Sequence, residues 1–197
     1  MAKLYFSYSA MNAGKSAILL QASHNYRERG MDTFLLTAGI DKRAGEHVIS
    51  SRLGLSADAQ GFYQDTDIGA LIRAAHAATP LSCVLVDEAQ FLTDAQVWQL
   101  ACIADDKSIP VMCYGLRTDF KGMLFPGSAA LLALADHVRE IRTICYCGRK
   151  ATMVVRLDDA GDVITDGQQI KIGGNESYVS LCRRHWREKM APTIAQN

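Results

Sequence analysis

Through the first two-thirds of the chain, short apolar runs alternate with longer amphipathic stretches, the pattern of strand–helix–strand units around a largely parallel sheet. Leu4–Tyr8, Thr33–Leu36, Cys83–Asp87 and Pro110–Tyr114 read as strands. The last three lack clean polar alternation, as strands covered on both faces do. Between them, Ser16–Arg29 reads as a helix ended by Gly30, and Thr66–Ala78 as a second ended near Pro80. A third helix begins at Thr93, where Gln96 stands at the spacing of a capping box. Ser128–Asp136 reads as a shorter apolar helix. After about residue 142 the pattern changes to cysteines, Gly-containing turns and short β-prone runs, Thr152–Leu157 and Tyr178–Leu181. The expected organisation is an α/β unit with a mainly parallel central sheet over 1–142, a small β unit over 143–191 and a flexible tail over 192–197. No internal repeat or low-complexity segment interrupts it.

Composition narrows the setting. Among 197 residues, 21 Lys+Arg balance 21 Asp+Glu, so no global field draws the chain to nucleic acid or to an anionic membrane. A hydrophobic content of 49% is enough for a real core. No run approaches the roughly 18 apolar residues of a membrane span, and the chain opens into a strand without a signal-peptide pattern. A soluble, cytoplasmic protein is expected, and in that reducing compartment cysteines serve as thiols or metal ligands.

The segment Ser9-Ala-Met-Asn-Ala-Gly-Lys-Ser16 follows the first strand and opens the first helix, the context in which a phosphate-binding loop works. Backbone N–H groups of such a loop converge on phosphate oxygens, and the helix dipole adds to the attraction. Lys15 would reach the terminal phosphates and Ser16 would ligate Mg²⁺. Ser9 stands where the first Gly of G-x-x-x-x-G-K-[ST] is usual, so the turn there must suit a residue with a Cβ.

Cys83-Val-Leu-Val-Asp87-Glu88 is an apolar strand ending in two acids, the place where a nucleotide-binding sheet holds its metal carboxylate. Asp87 is the expected Mg²⁺ holder and Glu88 the candidate general base toward an acceptor hydroxyl. These motifs imply a nucleoside triphosphate with Mg²⁺ and leave ATPase motor, GTPase switch and small-molecule kinase open. A motor is normally larger, and no guanine-reading Asn-Lys-x-Asp is present.

Cys145-Tyr-Cys147 and Cys182-Arg-Arg-His185 supply three thiols and an imidazole in two close pairs, the inventory of a tetrahedral structural zinc site. Turns at Gly161 and Gly167 would bring the pairs together as a zinc ribbon that folds largely because the metal binds. Four ligands leave no position for a catalytic water. Redox chemistry is a weaker rival without a C-x-x-C. Cys83, Cys102 and Cys113 lie in apolar runs and are expected in the core.

Five segments, Leu4–Ser16, Cys83–Phe91, Cys113–Phe120, Thr143–Lys150 and Ile172–His185, together resemble the thymidine kinase family of the cellular, tetrameric, zinc-containing type in its bacterial form. The missing first Gly and the C-x-C spacing are how bacterial members look. The resemblance implies a P-loop domain with a C-terminal zinc-ribbon-like domain. It implies ATP-dependent phosphorylation of the 5′-hydroxyl of thymidine, with deoxyuridine a lesser substrate, in nucleotide salvage for DNA synthesis. By matching positions, Glu88 is the catalytic base. Ser9, Ala10, Met11, Asn12, Ala13, Gly14, Lys15 and Ser16, with Asp87, Glu88, Ala89 and Gln90, serve the donor nucleotide.

For the nucleoside, the resemblance assigns Met11, Phe91, Leu116, Phe120, Phe125 and Tyr178 to the base, and Asp41 and Arg43 to a segment near the deoxyribose and phosphates. Ile172, Gly173 and Gly174 belong to a lasso loop over 165–178 whose main chain reads the thymine edge. Thymidine triphosphate is the implied feedback inhibitor and a homotetramer the implied assembly. The rival reading is a zinc-ribbon nucleic-acid-binding ATPase, for which Arg183, Arg184, Arg187 and Lys189 would form the basic face.

Overall fold

The computed structural model describes residues 1–41, 45–170 and 177–194. Strand β1 (Leu4–Ser9) leads through the glycine-containing loop into α1 (Lys15–Arg27), and β2 (Asp32–Ala38) follows. A hairpin of β3 (Val48–Ser50) and β4 (Ser56–Asp58) precedes β5 (Gln60–Phe62) and α2 (Ile68–Ala78). Then come β6 (Leu81–Val86), a single 3₁₀ turn over Ala89–Phe91, α3 (Asp94–Lys107), β7 (Val111–Leu116), α4 (Pro126–Leu134) and β8 (His137–Glu140). The strands form a six-stranded sheet in the order β5-β2-β6-β7-β1-β8, parallel at every pairing.

Alternation along β6 shows why helices cover both faces. Val84 and Val86 join a core with Ile68 and Ile72 of α2, Val97 and Leu100 of α3 and Leu131 of α4. Cys83 and Leu85 point the other way, to Leu19 and Leu20 of α1 and Ile49 of the hairpin. With both faces buried, the strand can be continuously apolar. Asp67 caps α2 by accepting the Ala70 N–H, one residue beyond the expected start at Thr66. Thr93 and Gln96 form the reciprocal capping box that opens α3.

The strands and helices expected from the pattern are present with ends shifted by at most two residues. Four strands of this part were not anticipated from hydrophobicity. β5 and β8 are short edges of the large sheet, and β8 is largely exposed. The β3–β4 hairpin is mostly polar. Cys102 corrects an expectation: it faces solvent from α3, whereas Cys83 and Cys113 are buried. An apolar neighbourhood in sequence does not specify which side of a helix a residue occupies.

The remainder is antiparallel. β9 (Thr143–Ile144) pairs with β10 (Lys150–Ala151), and β11 (Met153–Leu157) lies between β12 (Val163–Ile164) and β13 (Tyr178–Leu181). The final helix, α5 (Arg183–Ile194), runs three residues into the stretch expected as a tail. A separate cluster of Phe120, Val154, Val155, Leu181 and Met190 lies under this part. Among the described residues, no helix is long and apolar enough to cross a membrane.

Candidate active site

The carboxyl ends of β1, β6 and β7 meet at one edge of the large sheet. Ser9 ends β1 and is buried, with its hydroxyl donating to Ala10 O at 2.6 Å and accepting from Lys15 Nζ at 3.0 Å. That answers the absent first glycine: a hydroxyl at this position receives the lysine ammonium, which a glycine cannot do. Lys15 also lies 3.4 Å from Ala10 O. Asn12 (φ 63) and Gly14 (φ 80) take left-handed conformations that fold the loop onto the start of α1. The loop is also held from the antiparallel part. Ser180 Oγ donates to Met11 O at 2.7 Å and Thr143 Oγ1 to Asn12 O at 3.3 Å.

Across β7, Asp87 Oδ2 accepts the Ser16 hydroxyl at 2.8 Å and Oδ1 accepts the Glu88 N–H at 3.0 Å. Burial pushes the Asp87 carboxyl up and the neighbouring Glu88 charge adds to this; the Ser16 hydroxyl and the Lys15 ammonium oppose them. The pair Ser16–Asp87 is a hard-oxygen donor set, the type that suits Mg²⁺.

Glu88 has φ 52, a left-handed conformation rare for a residue with a long side chain. This reversal turns the chain out of β6, so that the two adjacent acids diverge. Gln90 then fixes the glutamate: its Nε2 donates to Glu88 Oε2 at 2.5 Å while its Oε1 accepts the Leu116 N–H at 2.9 Å. Gly115 makes room, since a Cβ there would lie 2.9 Å from Gln90 Oε1 and 3.0 Å from Gln90 N. Glu88 is thereby tied to the end of β7.

A cleft of about 690 Å³ runs along this edge. Its walls bring together Met11–Ser16, Asp41, Asp87, Glu88, Gln90, Phe91, Leu116, Phe120, Phe125 and Tyr178 of the expected site. Ser9, Ala10 and Ala89 are not part of the wall, although Ser9 positions Lys15 from behind it. Arg43, Ile172, Gly173 and Gly174 lie outside the described residues. Phe91 and Phe125 meet edge to face at 6.0 Å. Sequence reasoning missed the hairpin residues Ser50–Leu53, and Asp119 and Gln169. The hairpin carries no motif. Asp119 and Gln169 meet only through the fold, with Gln169 Nε2 donating to Asp119 Oδ2 at 3.0 Å.

Behind the antiparallel strands, the ligand atoms of Cys145, Cys147, Cys182 and His185 lie within 4.8 Å of one another. The two cysteines of the first pair lie in the β9–β10 turn, and Cys182 and His185 stand at the start of α5. A tetrahedral zinc with bonds of about 2.3 Å to sulfur and about 2.0 Å to nitrogen would space its ligands about 3.8 Å (S to S) and about 3.5 Å (S to N). Cys147 Sγ and Cys182 Sγ are 3.9 Å apart, and His185 Nδ1 lies 3.3 Å from Cys145 Sγ and 3.6 Å from Cys182 Sγ. The cluster therefore fits a zinc site. Burial raises the Cys145 thiol, but the N–H groups of Cys147 and Cys182 and the His185 ring outweigh it and bring it to about 6. Tyr146 stacks on the His185 ring at 4.4 Å, restraining the imidazole. Of the basic residues nearby, Arg184 is already paired with Glu188 at 2.9 Å.

The family described as thymidine kinase matches residues 2–186 of the chain. The thymidine kinase of Ruegeria pomeroyi is 65% identical over 188 residues, 95% of each chain. That of Agrobacterium fabrum is 63% identical over 188 residues, 95% of this chain and 97% of the relative. The thymidine kinase of Yersinia pseudotuberculosis is 58% identical over 188 residues, 95% of this chain and 96% of the relative.

Proposed function

Because this chain belongs to the thymidine kinase family, we propose that it transfers the γ-phosphoryl group of ATP to the 5′-hydroxyl of thymidine, giving thymidine monophosphate and ADP. The observation that carries the reading is the convergence of Lys15, Ser16, Asp87 and Glu88 on one wall of a cleft whose other end is aromatic. In the reaction, the 5′-oxygen forms a bond to the γ-phosphorus as the bond to the β-γ bridging oxygen breaks. Glu88 accepts the hydroxyl proton and orients the oxygen in line. Gln90 holds the Glu88 carboxylate while it does so. Lys15 and the loop N–H groups take up charge on the departing ADP. Ser16 and Asp87 are the proposed Mg²⁺ holders, and Mg²⁺, when bound, neutralises the phosphates.

Met11, Leu116, Phe120 and Tyr178 are the proposed walls of the base site, backed by Phe91 and Phe125, with Asp41 toward the sugar. Cys145, Cys147, Cys182 and His185 would hold a structural zinc. We extend the reading to two domains over 1–142 and 143–191, a cytoplasmic homotetramer, and feedback inhibition by thymidine triphosphate. The continuity of the cleft supports the last of these, because one molecule carrying base and phosphates can span both ends. The test is ATP-dependent phosphorylation across a nucleoside panel. Thymidine is expected to be preferred, with deoxyuridine second; a preference for cytidine or purine nucleosides would overturn the assignment.

A further inference from the structure

Arg156 lies in β11, the middle strand of the small sheet, and is only 5% exposed. Among the described residues no carboxylate pairs with it, and its Nε has no hydrogen-bond partner. Burying a charge in this way is unfavourable, and Met or Leu would fill the volume without that penalty. What the guanidinium does have is two partners on different segments. Its carbon sits 4.1 Å over the Phe120 ring, and its Nη1–H donates to Gln168 O at 2.7 Å.

Both partners lie in segments that wall the cleft. Phe120 lines it directly, and Gln168 is followed by the lining residues Gln169 and Ile170. The two walls are tied at neighbouring positions as well: Lys121 Nζ donates to Gly167 O at 3.2 Å and Gln169 to Asp119 at 3.0 Å. In register, Arg156 stands opposite Tyr178 on β13, and Val154, two residues earlier on the same face, also lines the cleft. Arg156 is thus directly behind the aromatic end.

We propose that Arg156 is a positioning residue for nucleoside binding, clamping the Phe120 ring and the 166–170 segment into one rigid wall. The proposal rests on the nucleoside kinase reading. Only a planar guanidinium can stack on an aromatic face and donate in its own plane at the same time; a lysine keeps the charge and loses the geometry.

Steady-state kinetics of Arg156→Met and Arg156→Lys test it, with wild type alongside. A wild-type enzyme that does not phosphorylate thymidine would overturn the kinase reading and the clamp with it. With wild-type activity in place, Arg156→Met is expected to raise the thymidine KM by about tenfold, with the ATP KM changed less than about twofold and Arg156→Lys intermediate. In a Phe120→Leu background, the same Arg156→Met change is expected to add less than about twofold, because the residue it acts through is gone. Equal rises in both KM values, or a lowered melting temperature with the thymidine KM unchanged, would overturn the clamp and leave Arg156 a structural residue. Should Arg156→Met not fold, Arg156→Lys decides by the same two KM values.

Discussion

The two ends of the cleft are built in different ways. At the phosphate end, Ser9 to Ser16 are consecutive residues, and a turn, a lysine and a helix N-terminus come from one stretch of chain. Asp87 and Glu88 arrive from elsewhere, across one intervening strand. At the aromatic end, Met11, Leu116 with Phe120, Gln169 and Tyr178 come from four separate segments and meet because the antiparallel strands are laid against the large sheet. A binding site for phosphate needs little more than converging N–H groups, which a short loop supplies. A wall shaped to a planar ring needs several side chains set at chosen angles, and no single segment can provide them.

Removal of the proposed zinc is expected to separate the ends most sharply. Structural zinc contributes on the order of 10 kcal/mol to folding in small metal-bound units. Chelation, or Cys182→Ala, should therefore disorder the β9–β13 part and abolish thymidine binding, while nucleotide binding at the phosphate loop falls by much less. Isothermal titration of each ligand with and without chelator measures this; undiminished thymidine affinity after zinc loss would mean that the aromatic end does not depend on the cluster.

Glu88→Gln acts on the junction between the ends. It leaves the Gln90 contact possible but removes the proton acceptor, so kcat should fall by about 10²–10⁴ with both KM values nearly unchanged. Turnover at the wild-type rate would exclude Glu88 as base. The smallest effect is expected from Trp186→Phe. The Trp186 indole N–H donates to Phe120 O at 2.9 Å, linking the start of α5 to the aromatic wall. Losing that donor leaves the carbonyl short of a partner at a cost of about 1–2 kcal/mol. The thymidine KM should rise several-fold and the ATP KM stay put; parallel rises would blur the distinction between the ends.

Legibility in the sequence follows the same division. Ser9–Ser16 and Asp87–Glu88 were readable because the chemistry and the local backbone coincide: an apolar strand, then a loop or acid pair, then a helix. The Cys–His pairs were readable because metal ligands cluster at close spacing, although the single residue between Cys145 and Cys147 is unusual. Phe91 and Phe125 could be named only through family resemblance, since an aromatic residue in a core looks the same. Arg156 carried no signal at all. In a strand reading Met-Val-Val-Arg-Leu, an arginine suggests a solvated face, and its burial becomes evident only once Phe120 and Gln168 are set against it. Cys102 erred in the opposite direction, expected inside and found outside.

By itself, the sequence determined the parallel α/β layout, and it marked the candidate phosphate loop, the two acids at the end of β6 and the four residues of the Cys–His cluster. Each of these depends on residues close together in the chain, whose conformations and chemistry are set by their neighbours. The tertiary structure decided that Gln90 links Glu88 to β7, that Ser9 receives Lys15, and that Arg156 and Trp186 hold Phe120. Most of these contacts join segments tens of residues apart. Such contacts exist only after strand order and helix packing have been chosen, and no local pattern encodes that choice.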